Sequence, residues 1–186
     1  MTTLLPPAAT RPSKETPSAL EKLMWEADQY LNVRLEMVGG LPVWEAWPVL
    51  RHQSAAFRIQ SSITRAVQPQ QNDDIGCQCV HAADIYVRFP DGSLKRPDIA
   101  LFCREPDEQD TAVTLLPEAV IEILSQGFEA KDLEVGVPFY QSMGVKDIIV
   151  LDPRTNAVQH YQGNSPAREL VSPVEIALAC GCRCTV

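Results

Sequence analysis

The stretch AVIEILS, residues 119–125, decides how this chain is read, because Glu122 stands alone in a continuous apolar run. A run of Val, Ile and Leu reads as a strand covered on both faces. An isolated ionised carboxylate there costs several kcal/mol unless something pairs with it. The nearest acid in a comparable setting is Asp98, 24 residues earlier in LKRPDIALFC. Pro97 sets an extended backbone before it.

That segment alternates, so Asp98, Ala100 and Phe102 share one face and Ile99 and Leu101 the other. PDGS, residues 90–93, is a tight-turn sequence, which makes residues 79–89 and 94–103 the arms of an expected hairpin. Strands this close in sequence are often neighbours in a sheet, so Asp98 and Glu122 can converge. Two carboxylates held together repel, and one keeps its proton unless a cation lies between them. A hard divalent ion, Mg²⁺ or Mn²⁺, resolves the conflict with one or two carboxylates and waters as ligands. The plainer alternative pairs each acid with an Arg or Lys, or leaves it in water at a strand end.

Elsewhere the elements are legible. Residues 18–31 place Leu20, Leu23, Met24, Ala27 and Leu31 at helical spacing behind a Ser cap, with Glu21 three places on. RLEMVGGLPVWEAW then reads as a strand, a Gly-Gly turn and a second strand. Residues 51–67 form an expected helix with Ala55, Ala56, Ile59, Ile63 and Ala66 on one side and His52 within the apolar arc. Arg51, Arg58 and Arg65 recur every seven residues along its edge; such a stripe is more often a solvated face than a DNA contact. An amphipathic helix is expected over residues 129–143, interrupted by Gly136 and Pro138. A strand IIVLD, a turn near Pro153 and a strand VQHYQ follow, and a polar loop leads to a C-terminal edge strand in VEIALACGCRCTV. Strands outnumber helices, so the fold class is α+β (mixed α/β).

The 186 residues are 45% hydrophobic and 22% charged, as expected of one globular domain with a real core. No apolar stretch approaches the roughly 20 residues of a membrane helix, and no membrane association is expected. Residues 1–18, rich in Pro and Thr and without the apolar core of a secretory signal, read as a mobile N-terminal arm ahead of a single domain over residues 19–186. A cytoplasmic location is expected. The net charge of −8 argues against a surface that coats nucleic acid through long-range attraction, but leaves room for a local basic groove. Six cysteines occur: Cys77, Cys79, Cys103, Cys180, Cys182 and Cys184. CQC and CGCRC space them two apart, whereas paired zinc ligands usually leave a two-residue gap. Free thiols are the expectation in a reducing cytosol, with a metal clip from Cys77 and Cys79 to the tail as the alternative.

RPDIALF, then AVIEILS, then KDLEVGVPFYQSMGVKDIIVLDP together resemble the putative restriction endonuclease family abundant in cyanobacteria, a branch of the PD-(D/E)XK nuclease superfamily. RLEMVGGLPVWE and RHQSAAFRI extend the resemblance upstream, over more than half the chain. The resemblance implies a restriction-endonuclease-like core, a central mixed β-sheet flanked by helices, and hydrolysis of DNA phosphodiester bonds. Asp98 and Glu122 are the implied metal ligands, and Glu36 a supporting acid that binds metal or orients water. His52 matches a family histidine near the site, with a hydrogen-bonded core histidine as the equal alternative. A homodimer is expected, because double-strand cleavage commonly uses two sites and relatives often pair.

One departure stands out. The superfamily places a lysine two residues after the Glu, where this chain has Leu124; this family usually moves it to the next helix, between an Asp and a Tyr. Asp132 and Tyr140 match those flanks, but the residue between them is Gly136. A cation there orients the attacking water and offsets transition-state charge, and its loss costs on the order of 10² to 10⁴ in rate. Lys131 is the nearest replacement if the first helical turn is irregular, with Lys95 and Arg96 as further candidates. The sequence thus supports a metal-dependent endonuclease with a lowered rate, or a non-catalytic relative kept as a binding or assembly module. A thiol-based metal or redox protein using CGCRC is the third reading.

Overall fold

Turn residues and apolar spacing set the elements of the computed structural model, which describes residues 19–30, 34–45, 47–66, 76–107 and 112–186. Residues 1–18, where an arm is expected, lie outside the described residues. Helix α1 (Ala19–Tyr30) buries Met24 and Ala27 on one face; Leu31 lies outside the described residues. Strands β1 (Arg34–Val38) and β2 (Leu41–Glu45) form a hairpin through Gly39 and Gly40, at φ +56° and +81°. Helix α2 (Leu50–Ser62) buries His52, Ala55, Ala56 and Ile59.

The helix expected to run to residue 67 stops earlier. Ile63 is extended (φ −65°, ψ 120°), and β3 (Thr64–Arg65) pairs with a C-terminal strand instead. β-Branched Ile63 and Thr64 favour that change, and the pairing satisfies their backbone. Arg65 therefore leaves the arginine stripe, and its Nε donates to the Cys77 carbonyl at 3.0 Å.

The hairpin around PDGS is present but bent in both arms. Near the turn, β5 (Val87–Arg88) pairs with β6 (Leu94–Lys95); below it, β4 (Val80–Ala83) pairs with β7 (Ile99–Phe102). Asp84, at φ +60°, breaks one arm, and Pro97 lies in the break of the other. The tip joins β1 in a four-stranded sheet, and the base joins a six-stranded sheet. Lys95 and Asp98 consequently sit where the two sheets meet.

Strand β8 (Ala119–Ile123) is buried along its whole length. A π-helical turn (Lys131–Gly136) and helix α3 (Val137–Ser142) return the chain to β9 (Asp147–Asp152), which runs parallel to β8. Strands β10 (Ala157–Gln162) and β11 (Arg168–Val171) complete the order β11-β10-β9-β8-β7-β4. The sheet is covered on both sides. Ile99, Ile121, Ile123 and Ile149 meet Ala55 and Ile59 of α2 on one face, and Ala100, Val120 and Ile148 meet Phe139 and Tyr140 on the other.

Two expectations for the C-terminal region are corrected. Part of the polar loop is β11, and the expected edge strand is a hairpin of β12 (Glu175–Ala177) and β13 (Cys182–Thr185), in a small sheet ordered β12-β13-β3. Gly181, at φ +88°, allows the reversal that the apolar pattern does not reveal. The architecture is the expected mixed α+β fold with a central mixed sheet. Among the described residues, no helix is long and apolar enough to cross a membrane.

Ile121, 1% exposed at the middle of the central sheet, sets the expectation for stability. Ile121→Ala should cost about 2–5 kcal/mol in urea denaturation, whereas Leu50→Ala, at a residue 82% exposed, should change it by less than about 0.5 kcal/mol. Equal effects would contradict the placement of the core.

Candidate active site at the junction of two sheets

Continuing the β7–β8 register, in which Ile99 faces Ile121, by one residue sets Asp98 directly across from Glu122. Residues opposite each other in an antiparallel pair present their side chains to the same face. The two acids also bind each other's strand. Ile123 N–H donates to Asp98 Oδ2 at 2.7 Å, and Asp98 N–H donates to Glu122 Oε2 at 3.3 Å. The Tyr140 hydroxyl, from α3, donates to Glu122 Oε1 at 2.6 Å. Asp98 keeps 7% exposure and Glu122 only 1%. Burial pushes the Glu122 carboxyl well above the usual carboxylate range; Lys131 opposes this, and the charges of Asp132 and Asp98 add to it.

His52, near the start of α2, brings its Nε2 to 3.1 Å from Asp98 Oδ2. Burial pulls its pKa down, but the hydrogen bond and charge of Asp98 outweigh that and raise it. Its Nδ1 is buried with no hydrogen-bond partner among the described residues. A groove of about 720 Å³ opens beside it, lined by Trp47, Leu50, Arg51, Ser125, Gln126 and Arg154 among others.

Behind the acids lies a group of buried charges from β1, β2, β6 and the π-helical turn. Glu36 is fully buried; its Oε2 accepts from Lys95 Nζ at 2.5 Å and its Oε1 from Arg96 N–H at 2.7 Å. Burial would raise the Glu36 pKa, yet the charges of Lys95 and Lys131 hold it at about 2. Lys131 Nζ lies 2.8 Å from Asp132 Oδ1, 3.2 Å from Glu45 Oε1 and 3.8 Å from Glu36 Oε2. Burial pulls Lys131 down, but Glu36, Glu122, Asp132 and Glu45 carry it well above the ordinary lysine value. Wider π-helical spacing supplies the irregular first turn that Lys131 needs to point inward.

Gly136 ends that turn with no side chain. A Cβ built on it would lie 3.8 Å from Lys95 Nζ and 3.8 Å from Tyr140 Cε2. The Lys95 ammonium, 5.3 Å from the Tyr140 ring centroid, thus stands beside the place where a side chain at 136 would begin.

Residues 24–178 match the model of the Uma2 family, described as "Putative restriction endonuclease". The chain belongs to this family. The Uma2 match spans β1, both sheet acids, the π-helical turn and α3. Among solved structures, the chain resembles a "putative nuclease belonging to DUF820" from Anabaena variabilis, with a TM-score of 0.58 and 18% identity over 83% of this chain and 89% of that one. At that identity the likeness bears on the fold. Among curated proteins, none matches this chain.

In this Uma2 member the structure brings Asp98, Glu122, Tyr140, His52, Asp132, Lys131 and Glu36 into one connected network. Among the described residues, the groups of three metal-type ligands within 4.8 Å of one another are cysteines, and Asp98 and Glu122 belong to none of them. Sequence reasoning missed Arg34 and Glu45, which face each other across β1–β2 with Nε and Oε2 4.0 Å apart. The alternation in RLE offered a signal, since Arg34 and Glu36 fall on one face.

The Glu36–Lys95 pair carries a stability prediction. Lys95→Met leaves Glu36 buried and poorly compensated and should cost about 3–5 kcal/mol, and adding Glu36→Gln should recover most of it. The Glu36 pKa falls from 4.5 to about 2 on folding, so its contribution is complete above pH 4.5 and is lost as pH falls to about 2. Glu36→Gln should therefore flatten the acid side of the stability profile, as followed by thermal melts.

Proposed function

We propose that this Uma2 protein is a divalent-cation-dependent endonuclease that hydrolyses DNA phosphodiester bonds, with Asp98 and Glu122 holding Mg²⁺ or Mn²⁺. The charge balance carries the reading. Glu36, Glu45, Asp98, Glu122 and Asp132 are buried around this junction against the buried cations Arg34, Lys95 and Lys131. Counting His52, buried beside Asp98 with its pKa raised, five acids face four basic groups, so acidic charge stays in excess at the junction and a cation would offset it. Burial, with the charges of Asp132 and Asp98 nearby, pushes the Glu122 carboxyl upward, and a bound divalent ion would oppose that shift. Bound there, such an ion supplies a water of lowered pKa and stabilises charge on a phosphoryl oxygen.

The protein's own groups have distinct parts. Tyr140 and the Asp98 amide orient the Glu122 carboxylate, and His52 and the Ile123 amide orient Asp98. Lys131, with 7% exposure, is the cation positioned to meet the attacking water or the phosphate. Lys95 is sealed, and supplies positive potential beside position 136 without touching substrate. Glu36 spends both oxygens on Lys95 and Arg96, which makes it a positioning residue. The groove past His52 and Arg51 suits a phosphate backbone, despite the net charge of −8.

The test is cleavage of plasmid DNA with Mg²⁺ or Mn²⁺. Asp98→Ala and Glu122→Ala should abolish it, and Lys131→Met should slow it on the order of 10² to 10⁴-fold. If the purified protein cuts and both acid variants cut equally well, the site lies elsewhere. Lys95→Met in the Glu36→Gln background should slow cleavage, and adding Gly136→Lys should restore part of the rate; an unchanged rate without Lys95 removes its role.

Gly136 also favours a second reading, a non-catalytic module that keeps the fold to bind DNA or a partner. DNA binding without cleavage under any divalent ion would support it. For the enzyme we propose a homodimer, because cutting both strands of a duplex needs two sites. Sedimentation that finds only monomer at assay concentration would remove that part.

A further inference from the structure

Five sulfurs meet away from the acidic junction. Cys77 and Cys79 precede β4, Cys103 follows β7, and Cys180 and Cys182 flank Gly181 in the β12–β13 hairpin. The sulfurs of Cys77, Cys103 and Cys180 lie within 4.8 Å of one another, and so do those of Cys77, Cys79 and Cys182, so Cys77 belongs to both trios. The free thiols expected from the sequence are found at Cys180 and Cys184, whereas Cys77 is paired with Cys103 and Cys79 with Cys182 as disulfides.

Two disulfides explain four of these sulfurs and leave Cys180 among them without a purpose. A tetrahedral ion also takes four sulfurs, and the two trios, which share Cys77, offer more than one way to supply them. Zn–S bonds of about 2.3 Å arranged tetrahedrally set sulfurs about 3.8 Å apart, and Cys77 Sγ already lies 3.4 Å from Cys182 Sγ. Cys79 holds a φ of +55°, a region that residues with side chains seldom enter without a constraint. Arg65, bonded to the Cys77 carbonyl through Nε, brings positive charge to the neighbourhood, where a tetrathiolate centre would be dianionic. Soft thiolates select zinc-class ions, whereas the carboxylates of the junction suit hard ones.

We propose that the reduced cluster binds one zinc-class ion through four thiolates, Cys77 among them, as a structural clip joining the central sheet to the C-terminal hairpin. A dithiol reductant delivers two electrons and two protons to each disulfide, is itself oxidised to a disulfide, and leaves five thiols. Four of these release their protons to water as their sulfur lone pairs bind Zn²⁺, and one thiol remains over. The clip also reaches α2 through β3, which pairs with β13, and so steadies the helix that carries His52.

The full chain, purified with reductant and without chelator, should hold one zinc per chain by elemental analysis. Replacing zinc with Co²⁺ should give the sulfur-to-cobalt charge-transfer bands and intense visible absorption of a tetrahedral thiolate site. Cys77→Ser should lose both signals. Cys184→Ser should keep them, because Cys184 lies outside both trios. Asp98→Ala should keep them too, which separates this centre from the carboxylate pair. Should Cys77→Ser fail to fold, Co²⁺ titration of the reduced wild-type chain still decides. A reduced wild-type protein that takes up no cobalt with thiolate character, or that keeps both disulfides in the presence of reductant, overturns the proposal.

Discussion

An acid in the middle of a buried strand is the constraint from which the site follows. Glu122 cannot ionise in that interior unless nearby charge offsets the loss of water. The fold answers this demand in part from three directions, with Tyr140 from the covering helix and Lys95 and Lys131 from elements that reach behind it, while the charge of Asp98 across the strand pair works against it. The irregular features of the chain serve this convergence. The bend between β6 and β7 sets Lys95 and Asp98 on either side of a sheet junction, and the π-helical turn swings Lys131 inward. A straight hairpin and a regular helix would bury less charge but would not gather these groups.

The same network brings a cation beside Gly136. A cation needed near a given point can come from any element that reaches it, because electrostatic stabilisation depends on distance and dielectric rather than chain order. Lys95 arrives from a strand and occupies the neighbourhood that a long side chain on the helix would fill. Its partner Glu36 is fully buried and accepts from both Lys95 Nζ and the Arg96 amide. Burying a paired charge is weak evidence for stability.

The sulfur cluster and the acidic junction stand at opposite ends of α2's attachments. His52 near the helix start touches Asp98, and beyond the helix end Arg65 touches the chain at Cys77. Hard oxygen donors at one place and soft sulfur donors at the other would keep two metals apart by chemistry alone.

The sequence by itself determined the mixed α+β class, the buried strand around Glu122, the alternation that puts Asp98 on a defined face, and the Gly-Gly and PDGS turns. Those features are local: they follow from period-two patterning and turn chemistry within a dozen residues. It also exposed the missing lysine, since Asp132, Gly136 and Tyr140 can be read in one line. Only the tertiary structure decided which cation stands near Gly136, because Lys95 is 41 positions away in the chain (136 − 95) and meets it through sheet pairing and a kink. The early end of α2 and the meeting of Cys77 with Cys182 were likewise hidden, since each depends on a segment more than a hundred residues distant, and the C-terminal hairpin was hidden because its reversal rests on the backbone of Gly181. Spacing fixes which way a side chain faces; contact between distant segments depends on how whole elements fit against one another.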